Sequence, residues 1–274
     1  MNQNKESTLD NVVDLIETDK LNNLFRLVEY SVKRTYDNQY LCSATVFNDQ
    51  ARIKLTWLNN EQIASVNKGA VVHVTWMTRR IFMNATNIVA GLERVETIEA
   101  HEDVFSTLPS EWLPKRNYFR AFLTLLNQMD SRIVQLVQHI FLDEKVLYCF
   151  LKVPYTKSKY YNHKSGNFIV TVINMDVVAK GNHHEEFQTD RKVLMVAVMM
   201  VGIARHLFWE YDEKRKCFFI PPKHHKLKLN ILAGRLLYEA SKKYKIDLDD
   251  DFMHALDRVF KNQALEHKLI GQFW

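Results

Sequence analysis

The spacing of apolar residues changes once along this chain, and that change limits the folds open to it. In ARIKLTWL, residues 51–58, Ile53, Leu55 and Trp57 alternate with Arg52, Lys54 and Thr56. Successive side chains of a strand point to opposite faces, so this stretch offers one face to a core and one to solvent. FRLVEYSVKR, YLCSATVF, AVVHVTWM and FMNATNIVAGLERVE, spread between Phe25 and Glu96, read the same way. Beyond residue 115 the repeat becomes three and four, the mark of helices with an apolar stripe. It runs through YFRAFLTLLNQM, DSRIVQLVQHIFL, the stretch from Val193, LKLNILAGRLLYEASKKY and DDDFMHALDRVFKN. The expected class is α+β, with strands first and helices after.

Turn signals join the strands at Tyr36–Gln39 and Asn48–Gln50, and a short helical piece, NNEQIASVNKG, ends at Gly69 between the third and fourth. Five strands with a helix in that place follow the order of an OB-fold, a small closed barrel. We therefore expect a helical or extended segment over 1–24 and a five-stranded OB-fold β-barrel over 25–97. A linker containing Pro109 and Pro114 follows over 98–115, then an all-helical domain over 116–274. Trp57, in phase with Ile53 and Leu55, belongs to the barrel core.

Several function classes are set aside by simple counts. The longest uncharged apolar run, Val193 to Ala204, has twelve residues, short of the ~20 that span a bilayer. The opening MNQNKESTLDNVVDL is polar and acidic where a secretory signal is basic and then apolar, so a cytoplasmic location without membrane contact is expected. Cys42, Cys149 and Cys217 are odd in number and far apart, which suggests reduced thiols rather than disulfides or a zinc knuckle. The seven glycines include no phosphate-cradling loop, and no serine sits in a nucleophile elbow. NHHEEF, residues 182–187, and the pair His224–His225 lack a spacing such as HxxxH that would fix metal geometry, and read as solvated loops.

The order of parts, barrel then linker then helices, resembles bacterial exoribonucleases of the YhaM type, which join an OB-fold to an HD-superfamily phosphohydrolase domain. VPYTKSKYYNHKSGNFIVTV matches the opening of that catalytic domain at Pro154, Lys157, Ser158 and Gly166. Tyr160 and Tyr161 stand where the family has a His pair, and Val170 where it has a ligand. The Asp-led helix is matched at Asp190 and Ile203, with Arg205 for a lysine and Val201–Gly202 in place of the metal-binding His-Asp. In the next ligand helix Asn230 replaces a histidine and Gly234 is kept; in the last, His254 is kept while Val259 and Phe260 replace a His pair. The resemblance thus implies a degenerate HD-like domain, since valine and glycine offer a divalent metal no donor. No His-Asp dipeptide occurs anywhere in the chain. The implied protein is a pseudoenzyme with no cofactor and no catalytic residues.

Binding is the function left to such a chain. OB barrels hold single strands by pairing a basic groove with aromatic faces on which bases stack. Lys33, Arg34, Tyr36 and Tyr40 lie around the first hairpin, Arg52 and Lys54 on the third strand, and Arg79 and Arg80 between the fourth and fifth. Residues 1–97 hold eleven basic and eleven acidic residues, so the net charge of +5 comes from the rest of the chain. Lys214, Arg215, Lys216, Lys223, Lys226 and Lys228 fall within fifteen residues around FFIPP, a cluster suited to polyanions. The expected function is non-catalytic binding of single-stranded DNA or RNA, the helical domain acting as scaffold or docking surface. Two other functions fit the chain: a metal-dependent 3'-5' exonuclease with non-standard ligands, and a protein-binding adaptor, with a protein partner or a homo-oligomer.

Overall fold

A computed structural model describes residues 23–37, 39–59, 66–81, 84–99, 101–155, 164–181, 189–212, 214–224 and 228–262. The chain divides into two compact units, Met1–Ser110 and Glu111–Trp274.

The first unit is a five-stranded antiparallel sheet. Its strands are β1 (Leu24–Arg34), β2 (Tyr40–Phe47), β3 (Arg52–Asn59), β4 (Val71–Ile81) and β5 (Asn84–Arg94), in the order β3-β2-β1-β4-β5. The two edge strands, β3 and β5, approach one another. Alternation decides the facing of β3: Ile53, Leu55 and Trp57 are buried with Phe25, Leu27, Cys42, Ala44 and Val46, whereas Arg52, Lys54, Thr56 and Leu58 are exposed. Gly69 has φ 97°, a backbone conformation that side chains resist. It closes the connection into β4, whose preceding residues 60–65 lie outside the described ones.

β1 departs from simple alternation. All five residues from Leu24 to Val28 are buried, Arg26 among them, and the register shifts between Leu27 and Glu29. The Arg26 guanidinium donates to Gly69 O at 2.7 Å, Thr107 Oγ1 at 3.1 Å and Val104 O at 3.5 Å. A buried cation is tolerated only where such acceptors replace water. Two of these acceptors come from a turn of 3-10 helix, Val104–Thr107, capped by Asp103, with Val104, Phe105 and Leu108 buried. Residues 103–108 are thus part of the first unit rather than a bare connection. Prolines mark the end of this segment, but nothing local in the sequence reveals the distant arginine it covers.

The second unit holds seven helices among its described residues: α1 (Arg116–Leu126), α2 (Ser131–Ile140), α3 (Glu144–Lys152), α4 (Gly166–Lys180), α5 (Arg191–Ala204), α6 (Leu229–Tyr244) and α7 (Asp250–Lys261). Asp130, Asp143, Asp190 and Asp249 cap α2, α3, α5 and α7 by accepting backbone N–H groups that the first turn cannot satisfy. Every residue of α5 from Val193 to Ala204 is buried, because α3, α4, α6 and α7 all pack on it. A helix apolar all round must sit at the centre. Phe119, Phe122, Phe150 and Phe168 stack between α1, α3 and α4, with centroids 5.4 to 6.4 Å apart. A short hairpin, β6 (Glu210–Asp212) and β7 (Cys217–Phe219), projects between α5 and α6 in the sequence. Among the described residues no helix is long and apolar enough to cross a membrane.

Candidate nucleic-acid interface

Three places carry the residues singled out in the sequence: the frame around α5, the outward face of β1–β3, and the β6–β7 hairpin.

In the frame, Val170 lies on α4, fully buried, and Val201 and Gly202 on α5, also buried. At Gly202 the two helices are in close contact. A Cβ there would stand 2.2 Å from Thr171 Oγ1 and 2.7 Å from its Cγ2. Asn167 Nδ2 donates to the Gly202 carbonyl at 2.9 Å, and Thr171 Oγ1 donates to Asn167 O at 2.8 Å. The hollow beside them, lined by Tyr155, Thr171, Asn174, Val198, Val201, Gly202 and Arg205, is only about 10 Å³, room for one water. Arg205 is buried there, donating to Tyr155 O at 2.7 Å with its Cζ 3.9 Å from the Tyr155 ring centroid. Burial pushes the Tyr155 phenol up, and the nearby Arg205 charge partly opposes it.

Asn230, the other position of interest, is elsewhere. It sits on α6, donates through Nδ2 to the Phe260 carbonyl of α7, and lines a groove of about 590 Å³ between those two helices. The three α4 and α5 positions that the resemblance assigns to metal ligands offer no ligand side chain. Two valines and a glycine give no donor atoms, the Gly202 position has no room for a carboxylate, and a guanidinium already brings positive charge to the hollow. Among the described residues no three His, Cys, Asp or Glu side chains come close enough together to hold a metal ion. Tyr160 and Tyr161, with Lys157, Ser158 and residues 182–187, lie outside the described residues.

On the sheet, cross-strand register sorts the predicted residues onto two faces. Lys33 stands opposite Leu41, which stands opposite Leu58; Ser31, Ser43 and Thr56 form the next row, and Glu29, Thr45 and Lys54 the next. Lys33, Arg52 and Lys54 share the outward, exposed face. Glu29 lies among them, its carboxylate accepting from Thr45 Oγ1 at 3.3 Å. Arg34 and Tyr40 pair at the strand ends on the opposite face, and Tyr36 in the turn between them is fully exposed. Arg79 and Arg80 lie on β4 opposite Thr86 and Ala85, but their side chains fall outside the described ones.

The basic cluster of the second unit splits likewise. Lys214, Arg215 and Lys216 form the exposed tip of the β6–β7 hairpin, where Asp212 Oδ1 accepts the Lys214 and Arg215 backbone N–H groups at 2.9 and 3.0 Å. Lys223 pairs with Glu210 at 2.9 Å and holds that carboxyl below its usual range. Lys228 is exposed at the start of α6, and Lys226 lies outside the described residues. The sequence reading missed that exposed aromatic residues stand against this hairpin: Tyr211 on β6 and, 6.5 Å from Phe218 of β7, Tyr148 on α3, 41% and 46% exposed. They are separated by more than sixty residues along the chain, so no local motif could join them.

Comparison of the chain with family models, with curated proteins and with solved structures finds no match.

Proposed function

We propose that this chain is a non-catalytic protein that binds single-stranded nucleic acid, its sheet unit an OB-type barrel and its helical unit an HD-type frame without metal chemistry, serving as scaffold or docking surface. The strand order, with β1 between β2 and β4 and the edges β3 and β5 adjacent, supports the barrel. The observation that supports the non-catalytic part is the contact of Gly202 with Thr171: where the resemblance would put a metal carboxylate two helices touch, and Arg205 lies buried beside them. The outward face with Lys33, Arg52 and Lys54 supports binding to phosphates, and the interspersed Glu29 argues for moderate rather than tight electrostatic affinity.

The test is an anisotropy titration of labelled single-stranded DNA and RNA with manganese present, the strands being run on a gel afterwards. The expected outcome is binding that weakens as salt rises and leaves every strand at full length. Shortened strands would overturn the non-catalytic part. Intact strands with no binding would transfer the proposal to a protein-binding adaptor.

A further inference from the structure

The β6–β7 hairpin carries aromatic residues and exposed lysines together. Phe218 is central among the aromatic residues. It lies directly opposite Tyr211 in the hairpin ladder, with ring centroids 5.0 Å apart, and its ring is also 6.5 Å from that of Tyr148 on α3. Phe218 is half-buried against Cys149, Val153 and Trp209, which anchors the hairpin to α3. Tyr148 and Tyr211 are therefore both held near a fixed ring while about half of each stays in solvent. Exposed aromatic groups of this size are costly to leave in water, and grouping them calls for a planar partner.

The surrounding charges say which partner. Lys145 is exposed one helical turn before Tyr148, and Lys214 and Lys216 are exposed at the hairpin tip beyond Tyr211. Of the nearby acids, Glu210 is turned to Lys223 at 2.9 Å, Asp212 accepts backbone N–H groups of the tip and faces the Arg215 guanidinium at 3.6 Å, Asp143 accepts the Lys145 and Val146 backbone N–H groups at 2.9 and 3.2 Å, and Glu144 lies half-buried in the first turn of α3. Cations thus stand beside aromatic residues, the arrangement in which phosphates are held along the rim while bases stack on the rings. We propose that Tyr148, Phe218 and Tyr211, with Lys145, Lys214 and Lys216, form a binding site for single-stranded nucleic acid in the helical unit, built from residues other than those of the sheet. This rests on the nucleic-acid reading of the chain and adds where bases stack.

The test uses the full-length protein and a labelled oligodeoxythymidine of roughly 15 nucleotides, near the upper site size of one OB barrel, beside an abasic strand of the same length. Tyr148→Ala and Tyr211→Ala should each weaken binding of the thymidine strand by about 10-fold, while Tyr148→Phe and Tyr211→Phe keep it. The abasic strand should bind more weakly to the wild type and lose nothing further in the alanine variants, because stacking is absent from it. Circular dichroism of the alanine variants should match the wild type, since both side chains are half exposed. Wild-type binding that both alanine variants retain, with loss confined to Arg52→Ala and Lys54→Ala, would overturn the hairpin site and leave the nucleic-acid reading standing. Absence of binding by the wild type to either strand at low salt would overturn that reading and this site with it.

Discussion

At the level of single residues, the alternation in β3 made the facing of Arg52, Lys54 and Thr56 and the burial of Trp57 legible, because a strand's facing is decided by neighbours two positions away. Gly202 is the opposite case. In the sequence it is a missing ligand; in the fold it is a contact, and its significance depends on Thr171, thirty-one residues earlier, which no local pattern connects to it. Gly202→Ala should lower stability by ~1–3 kcal/mol, as overpacking of a closed core does, measured by urea denaturation of the full chain. Thr171→Ala in the same chain should return part of the loss, since it removes the two nearest of the three Thr171 atoms that the new Cβ would meet and leaves only the Thr171 Cβ, 3.0 Å away. Equal stability of Gly202→Ala and the wild type would mean that α4 and α5 separate freely. Arg26 was similarly hidden, because its acceptors lie 43 and 81 residues away.

At the level of elements, the helices with one apolar stripe were readable, and two others were not. α4, GNFIVTVINMDVVAK, is rich in β-branched residues and apolar on nearly every side, so periodicity cannot separate it from a buried strand. α3 is only nine residues long, and the three-residue strands of the hairpin are shorter than any alternating window. The packing of these elements carries a pH dependence. His139 of α2 is buried with its ring 4.6 Å from that of Tyr244 on α6, and His206 follows α5. Burial holds both imidazoles below the usual histidine pKa, against carbonyl contacts from Gln135 and Ile203 that raise it. The unfolded chain takes up protons below about pH 6.5 while the folded chain resists them. Stability is therefore complete above that pH and falls as acid carries the protein down toward the lowered folded values. The urea midpoint should drop between about pH 7 and pH 5.5, and His139→Gln with His206→Gln should flatten that drop. An unchanged slope in the double variant would remove these two groups as its cause.

For the whole molecule, the change of periodicity foretold strands followed by helices, and the succession of strands along the chain was legible from their alternation, whereas the pairing of β1 with β4 joins residues far apart and no turn announces it. The end of the first unit was not legible either. Proline and polar residues in 98–110 suggested a free connection, whereas Val104, Phe105 and Leu108 are buried and Thr107 meets Arg26. A fragment ending at residue 97 should accordingly lack a cooperative thermal transition, and one ending at residue 110 should show it, by circular dichroism. A sharp transition in the shorter fragment would reduce residues 98–110 to an ornament. The same contact sets a clock on synthesis. Thr107 leaves the ribosome 81 residues after Arg26, roughly 4 to 16 s later at ordinary elongation rates. Over that interval β1 has been made but its arginine has yet to meet the hydroxyl that receives it; the apolar side chains of β1 find their partners on β2 and β3 early, and the side that carries Arg26 is left for a nascent-chain chaperone to find until residues 103–108 follow.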